Sequence, residues 1–190
     1  MWEEGLTLRH HSLKTEDGYI LTVMHIIPYD ETFDAPEMRT LGTVLLGHSG
    51  MMDGLSWFET EHSSLPALLV KAGYNVYLTN DRGTRNSRRH ESLSPVEDAK
   101  KYFDYSFAEL GVNDAPAVLN FVQTHSGGER VIYIGYSQSS TSILYAFGQS
   151  KTSMLLRGMI SDVILLAPCL FLSEPMMQVV GLDQPMPMAK

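Results

Sequence analysis

The residues best suited to do chemistry form a short serine motif, Gly135-Tyr136-Ser137-Gln138-Ser139. Four residues with strong strand preference precede it, and a segment compatible with a helix follows at residues 141–147. A serine at a sharp turn between a strand and a helix projects its hydroxyl past the edge of a sheet, where it can act as a nucleophile. Glycine usually ends this pattern, and Ser139 is small enough to let the two backbones pass closely. The alternative interpretation is a buried strand followed by a serine-rich helix N-terminus.

A second candidate lies earlier in the chain, after an apolar strand predicted at residues 41–47. His48, Ser49 and Gly50 begin a loop rich in small residues that runs to residue 54. Small residues allow backbone N–H groups to turn towards a ligand. We interpret the loop as half of an oxyanion hole, and a flexible turn is the alternative.

The elements that must position these loops alternate between strands and helices. Residues 10–14 and 19–27 predict a β-hairpin around an Asp-Gly turn. A helix is predicted at 61–72, a strand at 74–79, a helix at 107–125 that Pro116 kinks or begins, and a buried strand at 159–170. This order predicts an α/β domain whose sheet is mostly parallel and starts with the hairpin.

Composition excludes several classes of function. A chain of 190 residues predicts one domain, and its net charge of -8 argues against a nucleic-acid partner. The basic residues gather at 80–90, where we predict a solvated, internally paired loop. The longest apolar run, residues 163–172, is too short to cross a bilayer, so no transmembrane segment is expected.

Cysteine and histidine usage bears on compartment and cofactors. Cys169 is the single cysteine, the chain contains no Asn-x-Ser/Thr acceptor, and its start lacks a signal-peptide pattern. These features favour an intracellular or organellar compartment over secretion or the lysosome. His10 and His11 would point to opposite faces of a strand and could not chelate together. We therefore expect neither a metal nor a cofactor.

Several separated segments together resemble one family, the gastric and lysosomal-type acid lipases of the α/β-hydrolase fold. The matching segments are residues 15–21, 45–50, 72–83, 87–90, 103–110, 114–117, 133–139 and 165–168. The resemblance implies a serine ester hydrolase acting on lipid esters, with Ser137 as the nucleophile. The oxyanion would be held by the backbone N–H groups of Gln138 and of Ser49 or Gly50. Ser49 and Ser139 stand where the family has glycine.

The same resemblance implies that the chain is an incomplete enzyme. In this fold an acid and then a histidine follow the nucleophile, but all seven histidines of this sequence precede Ser137. We therefore expect residues 1–172 to form the N-terminal part of an α/β-hydrolase domain, truncated before the lid and the strands that bear Asp and His. Residues 173–190 would be a tail rich in Pro and Met.

Two functions remain open from the sequence. A second chain or a further segment would complete the hydrolase, or the chain would be an inactive half-hydrolase kept as a structural subunit of a larger assembly. A lipid-binding module, suggested only by the methionines of the tail, is a third reading.

Overall fold

The computed structural model describes residues 5–28, 41–59 and 64–169. The predicted hairpin is confirmed as β1 (Leu6–Lys14) and β2 (Tyr19–Pro28), which pair antiparallel. Its turn depends on Gly18, whose backbone is left-handed with a φ of 97°. Both strands are longer than the sequence predicts, since β1 begins at Leu6 and β2 ends at Pro28. The predicted tail, residues 173–190, lies outside the described residues.

A single mixed sheet organises the rest of the described chain. Its other strands are β3 (Thr43–Gly47), β4 (Asn75–Leu78), β5 (Arg89–His90), β6 (Val131–Tyr136) and β7 (Ile160–Leu166). The strand order is β1-β2-β4-β3-β6-β7, and the short β5 pairs with β2. Strands β4, β3, β6 and β7 run parallel, whereas β2 joins β4 antiparallel. The predicted α/β class is therefore confirmed, with the hairpin added to a parallel core.

Helices cover both faces of the sheet. They are α1 (Leu65–Lys71), α2 (Ala99–Tyr102), α3 (Phe107–Glu109), α4 (Ala115–His125), α5 (Gln138–Gly148) and α6 (Ser150–Met159), with a 3₁₀ helix at Gly54–Phe58. One apolar cluster joins α4, α5 and α6 to one face through residues such as Leu119, Ile143 and Leu156. A second cluster packs α1 and the 3₁₀ helix against the opposite face.

Pro116 lies in the first turn of α4, where the hydrogen-bond pattern of a continuous helical segment changes. The N–H of the preceding Ala115 still bonds to the Leu110 carbonyl in the π-helical pattern, and the proline itself donates no bond. Before it comes a π-helical turn, Leu110–Asp114, which brings Gly111 against the backbone of α5. A Cβ at Gly111 would lie 2.3 Å from the carbonyl oxygen of Ser142, so only glycine fits there.

The prediction of a buried strand at residues 159–170 was wrong in two respects. Residue Met159 ends α6, a helix that the sequence analysis did not predict, and β7 begins at Ile160. Most of β7 is exposed, including the apolar residues Val163, Ile164 and Leu166. Apolar composition indicated burial, but β7 is the outermost strand of the described sheet and pairs only with β6 there.

Candidate active site

The sheet brings three loops to one edge. Strands β3, β4 and β6 are parallel neighbours, so the loops that follow Gly47, Leu78 and Tyr136 emerge together. Asn80, which is fully buried, ties these loops to the hairpin. Its side chain accepts a hydrogen bond from Gly54 N (3.1 Å) and donates one to the Thr22 carbonyl (3.0 Å).

Ser137 occupies the turn between β6 and α5. Its φ of 52° and ψ of -110° lie outside the regions that residues with a side chain normally adopt, a strain of about 1–3 kcal/mol. The Ser137 N–H donates to the Leu166 carbonyl (2.9 Å) and its carbonyl accepts from Thr141 N (3.1 Å). Within the described part of the chain its hydroxyl makes no hydrogen bond, and the residue is half-buried.

Close packing between β6 and α5 holds this conformation. A Cβ at Gly135 would lie 3.0 Å from Ser140 N, so the strand and helix backbones approach closely where the serine motif begins. The Ser140 hydroxyl donates to the Gly135 carbonyl (2.7 Å). The predicted strand, sharp turn and helix are present, and α5 begins directly at Gln138.

Ser139 fits the last position of the motif because Gly47 faces it. A Cβ at Gly47 would lie 2.7 Å from the Ser139 Cβ and 2.6 Å from the Tyr133 hydroxyl oxygen. The buried Ser139 hydroxyl donates to the His48 carbonyl at 2.5 Å. Burial raises the pKa of the Tyr133 hydroxyl, which donates to the Ser139 carbonyl (3.4 Å). A departure from the usual glycine is thus accommodated by a glycine on the neighbouring strand.

The loop after β3 lies beside the start of α5. A Cβ at Gly50 would lie 3.1 Å from the Gln138 Oε1, so these two predicted site residues are neighbours in space. Within the described residues, the backbone N–H groups of Ser49, Gly50 and Gln138 donate no hydrogen bond. The fold therefore brings Ser137 and three amide N–H groups that have no hydrogen-bond acceptor among the described residues into one region.

His48 is a structural residue of this loop. Its buried ring donates from Nδ1 to the Ser49 carbonyl (2.7 Å) and accepts at Nε2 from the Asp81 N–H (3.1 Å). A carbonyl only accepts and an amide N–H only donates, so these partners assign the neutral tautomer protonated at Nδ1. The Asp81 carboxylate lies 3.7 Å from Nε2, too far to compete for it. Both ring nitrogens are occupied, and His48 cannot take a proton from Ser137.

The remaining described histidines lie away from the serine. His11, His25 and His125 form one ring cluster with Phe121 between the hairpin and α4. His10 is exposed on β1, and His90 contacts the hairpin turn. None of the histidines in the described ranges hydrogen-bonds to Ser137. No group of residues suited to hold a metal ion is found among those the structure describes.

The sequence analysis missed the buried charge network beneath these loops. Arg82 was predicted to lie in a solvated loop, but its side chain is only 1% exposed. It donates to Asp114 through Nε (2.8 Å) and Nη2 (2.6 Å), and to Asp17 through Nη1 (2.6 Å) and Nη2 (2.9 Å). Burial raises the pKa of Asp114, against the opposing pull of the guanidinium. The acidic partners are distant in sequence, so no local pattern indicates the pairing.

Comparisons with known proteins identify the family of the chain. The profile of the family described as "alpha/beta hydrolase fold" matches residues 42–185, and that of a "partial alpha/beta-hydrolase lipase region" matches residues 1–61. Mouse lipase member M is 36% identical over 145 residues, which is 76% of this chain and 33% of that protein. Human lysosomal acid lipase/cholesteryl ester hydrolase is 34% identical over 146 residues (76% and 36%). Rat gastric triacylglycerol lipase is 33% identical over 149 residues (78% and 37%).

Solved structures share the fold. An esterase of Pyrococcus furiosus, Pf2001, superposes with a TM-score of 0.58 at 16% identity, over 90% of this chain and 55% of that one. Esterase Est22 gives a TM-score of 0.58 at 18% identity, over 90% and 46%. The chain spans about a third of the length of the lipases named above. The chain belongs to the α/β-hydrolase fold family, and within it to the relatives of the acid lipases.

Proposed function

We propose that this chain supplies the nucleophile and the oxyanion hole of a serine carboxylic ester hydrolase that cleaves lipid esters. The observation that carries the proposal is the strained, positive-φ backbone of Ser137 at the β6–α5 turn. Within the described residues, the Ser137 hydroxyl and the N–H groups of Gln138, Ser49 and Gly50 make no hydrogen bond. The names of the relatives, a cholesteryl ester hydrolase and a triacylglycerol lipase, support lipid esters as the substrate class.

The proposed chemistry is acyl transfer in two steps. The Ser137 oxygen attacks the ester carbonyl carbon while a base removes its proton, and the carbonyl electron pair moves onto oxygen. The N–H of Gln138 and that of Ser49 or Gly50 stabilise this oxyanion. Collapse of the intermediate expels the alcohol, which receives the proton, and water then hydrolyses the acyl-serine in the same way.

In this proposal the base and its acidic partner come from elsewhere. His48 is committed to the loop, and no histidine follows Ser137 in the sequence. We propose that a segment outside these 190 residues, or a second chain, supplies both groups. Two features of β7 support this. As the outermost strand of the described sheet, it offers a backbone edge to which a further strand can pair, and its exposed apolar side chains offer a surface that further residues can cover.

The same outer strand favours a second candidate function. An inactive half-hydrolase retained as a structural subunit would also need a partner to cover β7. The two candidates differ in whether a histidine reaches Ser137 in the assembled protein. By analogy with the Ser-His-Asp triads of other serine hydrolases, loss of the base costs on the order of 10⁶-fold in rate, so the difference is readily measured.

Hydrolysis by the native protein, purified with any partner it carries, distinguishes the two. We expect release of p-nitrophenol from a medium-chain p-nitrophenyl ester, abolished by Ser137→Ala. Ser142→Ala is a matched control, because it removes a buried hydroxyl from the same helix without touching the turn. Activity that survives Ser137→Ala would refute the proposal, and a native assembly without activity would favour the structural subunit.

A further inference from the structure

Ser139 links the two halves of the candidate oxyanion hole. It is the second residue of α5, directly after Gln138, and it is 3% exposed. Its hydroxyl hydrogen-bonds to the carbonyl of His48, in the loop that carries Ser49 and Gly50. One side chain thus joins the helix that holds one candidate donor, the Gln138 N–H, to the loop that holds the other two, the N–H groups of Ser49 and Gly50.

The bond fixes a peptide plane. No cis peptide occurs in the described chain, so the His48 carbonyl and the Ser49 N–H point in opposite directions across one rigid unit. Because the His48 carbonyl is held towards the buried Ser139, the Ser49 N–H points away from Ser139. The next peptide is fixed in the same way, because the His48 ring holds the Ser49 carbonyl and so directs the Gly50 N–H away from the imidazole.

The hydrogen bond between Ser139 and the His48 carbonyl has room to form only because residue 47 is a glycine. The Ser139 Oγ would lie 2.9 Å from a Cβ at Gly47, so any larger residue there would displace the hydroxyl. The fold thus accommodates a serine at a position where the usual motif has glycine and uses its hydroxyl for a contact that glycine cannot make.

We propose that Ser139 is a positioning residue for the oxyanion hole: its hydroxyl sets the spacing between the Gln138 N–H and the N–H groups of Ser49 and Gly50. This inference rests on the proposed esterase function. Donors held where charge develops contribute most to catalysis when they are fixed in advance, and loss of one costs about 10²–10³-fold in kcat. Loosening the loop that carries Ser49 and Gly50, without removing a donor, should lower kcat by a smaller factor.

The test compares Ser139→Ala with Ser140→Ala in the native protein. Ser140→Ala is the matched control, because Ser140 is also a buried serine of α5 whose hydroxyl bonds to backbone carbonyls. Those carbonyls belong to Gly135 and Leu166, and not to the loop after β3. Rates are expressed per competent site, counted by the burst of acyl-enzyme formation, so that a change in folded fraction does not enter.

We expect Ser139→Ala to lower kcat about 10- to 100-fold with KM changed less than twofold, since the hole acts on the transition state. Inactivation by a fluorophosphonate, whose phosphoryl oxygen occupies the same hole, should slow by a similar factor. Ser140→Ala should lower thermal stability with a much smaller change in kcat per site.

Equal kcat per site in Ser139→Ala and the parent protein would overturn the inference while leaving the esterase function intact. A loss confined to stability, matched by Ser140→Ala, would do the same. A parent protein that neither hydrolyses esters nor reacts with the fluorophosphonate would overturn both proposals together.

Discussion

Arg82 holds together the hairpin turn, the loop after β4 and the π-helical turn, and Arg82→Met is the substitution that we expect to be most damaging. The guanidinium donates four hydrogen bonds to Asp17 and Asp114, and its carbon lies 3.9 Å from the ring centroid of Tyr19. The two carboxylates differ in depth: the side chain of Asp114 is 2% exposed and that of Asp17 is 36% exposed.

The magnitude follows from that difference. Arg82→Met leaves the buried Asp114 carboxyl without its cation, so the carboxyl either stays charged in the interior or takes up a proton. Removing one partner of a buried ion pair typically costs about 3–5 kcal/mol. Loss of the contact with Tyr19 adds about 1 kcal/mol. Asp17→Asn keeps the guanidinium paired with Asp114, so we expect a smaller loss of about 1–2 kcal/mol.

The assay is urea denaturation of the native protein, followed by tyrosine and tryptophan fluorescence. The double substitution Arg82→Met with Asp114→Leu should recover part of the loss, because no unpaired buried charge remains. Recovery will be incomplete, since Asp114 also accepts from the Arg82 backbone N–H (3.0 Å). A loss below about 1 kcal/mol for Arg82→Met, or a double variant less stable than the single one, would refute the reasoning.

Two further predictions concern stability. Burial lowers the pKa of His25 from its ordinary 6.5 to about 4, so unfolding takes up a proton between these values and stability falls by about 3 kcal/mol as the pH drops through this range. His25→Gln should flatten that dependence in thermal melts at pH 7 to 4, whereas the exposed control His10→Gln should not; parallel curves for all three proteins would contradict the assignment. Gly111→Ala, whose Cβ would meet the Ser142 carbonyl at 2.3 Å, should lose about 1–3 kcal/mol, and Gly148→Ala, with nothing within 4 Å, should lose little. Equal urea midpoints for the two alanine variants would contradict the packing of the π-helical turn on α5.

The parts of the fold that were predictable from sequence are those with local signals. An Asp-Gly turn between two runs of strand-forming residues specified the hairpin, and a strand, a serine and a helix in immediate succession specified the turn at Ser137. Pro116 likewise indicated where α4 begins. In each case the residues that determine the conformation are close neighbours in the chain.

The parts that were not predictable depend on distant partners. Arg82 is buried because Asp17 and Asp114 reach it from 65 and 32 residues away. Ser139 finds its acceptor 91 residues away, in the loop after β3. Helix α6 was missed because its buried residues are few, Thr152, Leu156 and Met159, and its polar remainder gives no strong period. The exposure of β7 depends on what packs beside it, which its own apolar residues cannot specify.

Covalent labelling tests the central claim most directly: that Ser137 is a nucleophile held at the β6–α5 turn. The native protein, with every partner it carries, is treated with a fluorophosphonate and its peptides are analysed by mass spectrometry. We predict one adduct, on the peptide that contains Ser137, which is lost in Ser137→Ala and retained in Ser49→Ala, where only the backbone N–H is proposed to act. Absence of the adduct from Ser137, or its appearance on another serine, would contradict the account.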